Sequence, residues 1–156
     1  MIKAEQIQQF NTAYDRFVSV VTCLEPGDFL GSLGAWTPRD IVAHLIGWNY
    51  NIRQGCQQIQ AGTAPVYHAD APNDYRVYNA GFIARYNSTD CDILLAELAR
   101  GKAELLSYLQ SVDARDWDKD FGAKHYRGGP ATIGRSVESL TRDYVDHAAE
   151  IAKHSS

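Results

Sequence analysis

Asp143 and His147 lie one helical turn apart near the C-terminal end of this chain. Ile133, Val137, Leu140, Tyr144, His147 and Ile151 recur at steps of three and four, so they share one helical face and place His147 on an apolar seam. His44 sits beside a second such seam, made by Ile41, Leu45, Trp48, Ile52 and Ile59. Ligand-type residues four apart project side by side and can clamp one ion. With His44 added from a facing helix, Asp143 and His147 complete two imidazoles and one carboxylate with coordination positions left open. That donor set suits Zn, Ni, Mn or Fe(II), and an open position admits water or substrate. The bland alternative is a buried histidine satisfied by a hydrogen bond, with Asp143 either solvated beside Arg142 or bonded to His147.

Other residues carry weaker signals. Asp40, one turn before His44, is a second carboxylate candidate for general-base work beside Asp143. Trp48, Tyr75, Tyr78, Asn79 and His125 are candidates for a substrate pocket, although aromatic residues at helical spacing more often form core. His125 belongs to a glycine-bearing loop that can fold over a bundle mouth, and it and His68 otherwise read as surface loop histidines. Asp146 and Glu150 read as a solvated acidic face. Gly128-Gly129-Pro130 lacks the lysine of a phosphate loop, and no nucleophile, base and acid triad can be assembled.

Helices must position these groups. The first is expected from about Lys3 to Leu24, stopped by Pro26-Gly27. The second has Thr37 as N-cap, Pro38 at the first helical position and Asp40 in the first turn, and runs to Gln60. A loop from Thr63 to Asn73 leads to a short aromatic-faced helix over Asp74 to Tyr86. A long helix starts near Ser88-Thr89-Asp90 and carries Leu94, Leu95, Leu98, Leu105, Leu106 and Leu109. The last runs from about Thr132 to Lys153. No strand-like alternation, repeat or low-complexity tract appears. Four long amphipathic helices predict an all-α four-helix bundle, with a long crossover between the second and third.

The chain has 156 residues, enough for one domain over 1–156 with a sizeable core. Fifteen basic against nineteen acidic residues give a net charge of −4 without a basic run, which argues against nucleic-acid binding. The polar start and the lack of a long apolar stretch argue against a signal peptide and a membrane span. Cys23, Cys56 and Cys91 form no Cys-x-x-Cys pair and read as reduced thiols of a cytoplasmic protein. A homodimer through an exposed apolar helix face is compatible with the pattern.

The stretch from Trp36 to Asn49, Trp-Thr-Pro-Arg-Asp-Ile-Val-Ala-His-Leu-Ile-Gly-Trp-Asn, resembles the second-helix motif of the DinB-like superfamily, within it the ClbS/DfsB group. Asp74-Tyr75-Arg76-Val77-Tyr78-Asn79 is similar to that group's middle segment, and Asp143-Tyr144-Val145-Asp146-His147-Ala148 to its closing motif. The resemblance implies an up-down-down-up bundle and, in metal-binding members, three histidine ligands. His44 and His147 match two of these, and Asp143 replaces the third. It also implies small-molecule chemistry of two kinds: a divalent-metal-dependent enzyme, either a transferase or isomerase using a low-molecular-weight thiol or a hydrolase, and a metal-free hydrolase or sequestering protein of the ClbS kind. The residues by themselves leave a third reading, in which His44, Asp143 and His147 form a buried structural network without catalysis.

Overall fold

The computed structural model describes residues 2–70 and 75–154. Its helices are α1 (Lys3–Thr22), α2 (Pro38–Gln60), α3 (Arg76–Arg85), α4 (Cys91–Ser111) and α5 (Ile133–His154). Asn73 and Asp74, taken from the sequence as the end of the loop and the start of the crossover helix, lie outside the described residues. Among the described residues there is no strand, only one antiparallel bridge between Lys124 and Pro130. None of the helices is long and apolar enough to cross a membrane.

The local signals act as their chemistry requires. Thr37 accepts from the Asp40 amide while the Asp40 carboxylate accepts from the Thr37 amide, a reciprocal cap that starts α2 at Pro38. Asp90 caps α4 by accepting from the Ile93 amide. Helix α1 ends at Thr22 rather than Leu24, because the chain tightens into a turn in which Leu24 bonds Val21.

Packing pairs α1 with α5 and α2 with α4. Gln6 meets Gly134 and Phe17 meets Tyr144, so α1 and α5 run the same way. Arg53 meets Glu104 and Gln60 meets Tyr108, so α2 and α4 do too. The central helix is α2, with Ile41, Val42, Leu45, Ile46, Cys56 and Ile59 all fully buried. A Cβ on Gly47 would lie 2.1 Å from the Phe82 ring, and this missing side chain lets α3 lie flat on α2.

The seam of α5 differs in one place from the expected one. Tyr144, Ala148 and Ile151 are buried, while His147 stands at the rim with 16% of its side chain exposed. At about 100° per residue Ile133 and Ile151 fall at the centre of the stripe and His147 at its edge, on the side of Asp143.

Candidate functional site

Three elements deliver the polar groups to one place. The capped start of α2 sets His44, whose side chain is 7% exposed. The last helix brings Asp143 and His147, and the buried bond from the Tyr144 hydroxyl to Asn49 Oδ1, 2.8 Å, pins α5 against α2 at that level. Helix α3, seated on Gly47, brings Asn79.

His44 Nε2 lies 2.8 Å from Asp143 Oδ2, and His147 Nε2 lies 3.1 Å from Asp143 Oδ1. One carboxylate thus stands between two imidazoles, offering a different oxygen to each. The other ring nitrogens are held as well. His44 Nδ1 is 3.0 Å from Asn79 Oδ1, and His147 Nδ1 is 3.0 Å from Glu150 Oε2. The indole N–H of Trp48 donates to Asn79 Oδ1 at 2.8 Å. Because an indole nitrogen can only donate, the Asn79 oxygen must face Trp48 and His44, so His44 Nδ1 must be the donor. A carboxylate fixes His147 Nδ1–H in the same way. Both Nε2 atoms therefore point at Asp143.

Burial opposes ionising Asp143, yet hydrogen bonds from His147 and His44 outweigh it and hold the carboxyl well below its usual range. Burial likewise opposes charging His147, but Asp143 and Glu150 prevail and raise its pKa. Trp36 walls the cluster, its ring 4.9 Å from that of His44 and 6.0 Å from that of His147.

The ligand atoms of His44, Asp143 and His147 all lie within 4.8 Å of one another. Two imidazoles and a carboxylate at that spacing fit one divalent ion held at about 2.0–2.2 Å. The acceptors on both Nδ1 atoms are the outer partners that orient metal-ligating histidines. Asp143 keeps 34% of its side chain exposed, and its outlet is a cavity of about 350 Å³.

Trp48, Tyr75, Asn79 and His125, expected from the sequence as pocket residues, line this cavity; Tyr78 does not, and packs instead on Trp48 and Phe82. Asp40 is also elsewhere. Besides its capping role it pairs with Arg39 at 2.7 Å, and Arg39 in turn donates to the carbonyls of Ile83, Tyr86 and Ser88. Asp40 thus anchors the segment after α3.

Several cavity residues carried no strong sequence signal. Trp36 lies in a linker, Tyr67 and His68 in a short 3-10 turn, and Arg135, Ser136 and Ser139 at the start of α5. The helical step back from His147 through Asp143 to Ser139 and Arg135 was the signal that could have found the last set. His68, read from the sequence as a surface loop histidine, is half-buried, with its ring 4.8 Å from that of His125. Glu150 does more than solvate a face, since it binds His147. Tyr75 holds a left-handed backbone at φ 56°, a conformation costly for a tyrosine, at the point where α3 begins beside the cavity.

A family model described as the DinB superfamily matches residues 9–151. No curated protein sequence matches the chain. Among solved structures, the sibling lethal factor precursor DfsB aligns with a TM-score of 0.80 at 17% identity, covering 98% of this chain and 94% of that one. The colibactin self-resistance protein ClbS, in complex with a double-stranded DNA, aligns at 0.75 with 17% identity, covering 97% and 94%. The mycothiol-dependent maleylpyruvate isomerase aligns at 0.75 with 14% identity, covering 97% of this chain and 61% of that one.

The ClbS complex overturns the expectation that nucleic acid is excluded. That expectation rested on net charge, which averages the whole surface, whereas phosphate contacts depend on local groups. Lys124, Arg127 and Arg135 all lie in or against the loop bordering the cavity.

Proposed function

This chain belongs to the DinB superfamily, and from that premise we propose that it is a divalent-metal-dependent enzyme acting on a small molecule held in the cavity. His44, Asp143 and His147 would hold the ion. The observation that carries this reading is the pair of outer acceptors, Asn79 and Glu150, which turn both Nε2 atoms onto one carboxylate. A bound ion would lower the pKa of a thiol or a water at an open position. The chain's own residues do the remaining work. Asn79 and Glu150 fix ring orientation, Trp36 excludes solvent from one side, and Trp48 and Tyr75 supply an apolar wall.

A low-molecular-weight thiol as cosubstrate is supported by the isomerase, whose description names mycothiol. A nucleic-acid ligand is supported by the ClbS complex, and binding measured with each partner separates the two. Free Cys23, Cys56 and Cys91 suit a reducing, cytoplasmic setting. A metal-free hydrolase using Asp143 as general base is disfavoured, because such a base needs a pKa near the working pH and two imidazoles move this one the other way. A purely structural network is disfavoured by the open face of Asp143 onto the cavity.

The test is elemental analysis of untagged protein after incubation with Zn, Ni, Mn and Fe(II) salts. About one ion per chain is expected, with loss in His147→Ala and His44→Ala. Protein that stays metal-free with all four ions would falsify the reading.

A further inference from the structure

We propose that the end of the cavity bounded by Arg135, Tyr67 and His68 is a subsite for a carboxylate of the bound small molecule. The proposal rests on the reading of the cavity as a small-molecule site. Arg135 Nη1 donates to the carbonyls of Gly128 at 2.7 Å and Pro130 at 3.3 Å, which fixes the guanidinium in place. Among the described residues no carboxylate pairs with it, so its charge is uncompensated on the cavity wall.

Two buried polar atoms beside it lack partners. The hydroxyl of Tyr67, a residue only 5% exposed, has Ser136 beside it but no hydrogen bond of ordinary length and angle, and His68 Nδ1 has none either. A buried polar atom left unpaired is costly, and a ligand oxygen would satisfy both. The Tyr67 hydroxyl reaches its position because Gly55 has no side chain; a Cβ there would lie 2.5 Å away. The subsite also faces the first turn of the 22-residue helix α5, the end that favours negative charge.

Among the described residues Arg135 is the one lysine or arginine that lines the cavity itself. Burial and the charge of Arg135 lower the pKa of His68, and the same causes, together with His68 and Arg127, bring that of His125 to about 4. A single fixed positive charge matches a monoanion, and the planar guanidinium matches a carboxylate. Arg135 and Asp143 lie eight positions apart on one face of α5, about 12 Å along the axis. The ligand would therefore lie along α5, with its carboxylate at Arg135 and its reacting group near Asp143.

The test is equilibrium binding of phenylbutyrate, its neutral isostere phenylbutanamide and phenylpropyl phosphate, read by the fluorescence of Trp36 and Trp48. The carboxylate is expected to bind about tenfold or more tighter than the amide, as one charge-assisted hydrogen bond predicts. Arg135→Met should abolish that preference without changing metal content. Tyr67→Phe, which keeps the ring packing and leaves the loop tie intact, should weaken carboxylate binding several-fold. Equal binding of acid and amide to the wild type overturns the subsite, as does an unchanged preference in both variants. Tighter binding of the phosphate overturns the carboxylate assignment. Loss of metal in His147→Ala with the preference retained supports the subsite whatever the fate of the metal reading.

Discussion

The carboxylate of Asp143 meets Nε2 of His44 at 2.8 Å across 99 positions of chain. The two side chains come from helices that run in opposite directions, since further along the same pair Ser136 faces Cys56. The contact holds because each partner is fixed from behind, His44 by Asn79 and Asp143 by the second imidazole.

The first prediction concerns Asp143 itself. Asp143→Asn keeps the shape and removes the charge that a divalent ion needs. Saturating metal should stabilise the wild type by about 2.7 kcal/mol at a hundredfold excess over Kd, and this increment should vanish in the variant. Urea unfolding with and without metal measures it; an equal increment in both proteins would count against Asp143 as a ligand.

Outer partners should matter nearly as much. Glu150→Ala frees His147 Nδ1 and Asn79→Ala frees His44 Nδ1, and each is expected to weaken metal binding by about 10- to 100-fold. Competition with a chromophoric chelator gives the affinities. If both variants bind like the wild type, the two acceptors do not orient the ligands.

Gly47 links the fold to the site. Gly47→Ala places a methyl group against Phe82, so α3 must shift, at a cost of about 1–3 kcal/mol. Since α3 carries Asn79, the same variant should lose metal affinity, and adding Phe82→Ala should recover part of both. Urea midpoints and chelator competition on the double-mutant cycle decide this. Independent, additive effects would show that α3 does not position His44.

The loop histidines set a pH dependence. The pKa of His125 falls to about 4 through burial first, then Arg135, His68 and Arg127, against about 6.5 in the unfolded chain. Between these values the unfolded state binds more protons, so stability declines as pH drops from 6.5 toward 4. His125→Asn removes that contribution. Stability profiles across this window should therefore be flatter for the variant, and parallel profiles would contradict the assignment.

Much was legible before folding. Thr37, Pro38 and Asp40 mark the start of α2 because capping is local chemistry, and the periodicity of α5 locates Asp143 beside His147. Likewise Asp90 opens α4. Other roles depended on approach between distant segments. Asp40 is as close in sequence to His44 as Asp143 is to His147, yet it turns to Arg39 and serves the cap. Tyr78 packs on Trp48 and Phe82 while Tyr75 lines the cavity, because Tyr75 precedes α3 in a left-handed conformation and so leaves the helical rhythm that the sequence suggested.

Sequence alone determined the helices and which residues share a face, because hydrogen bonds and side-chain periodicity act over three or four positions. Only the tertiary structure decided that Glu150 and Asn79 back the two imidazoles, that Trp36 walls them, and that Arg135, Tyr67 and His68 meet at one end of the cavity. Those contacts depend on how helices cross and rotate against one another, and an unfilled space above Gly47 or Gly55 carries no mark in the chain until its neighbour arrives.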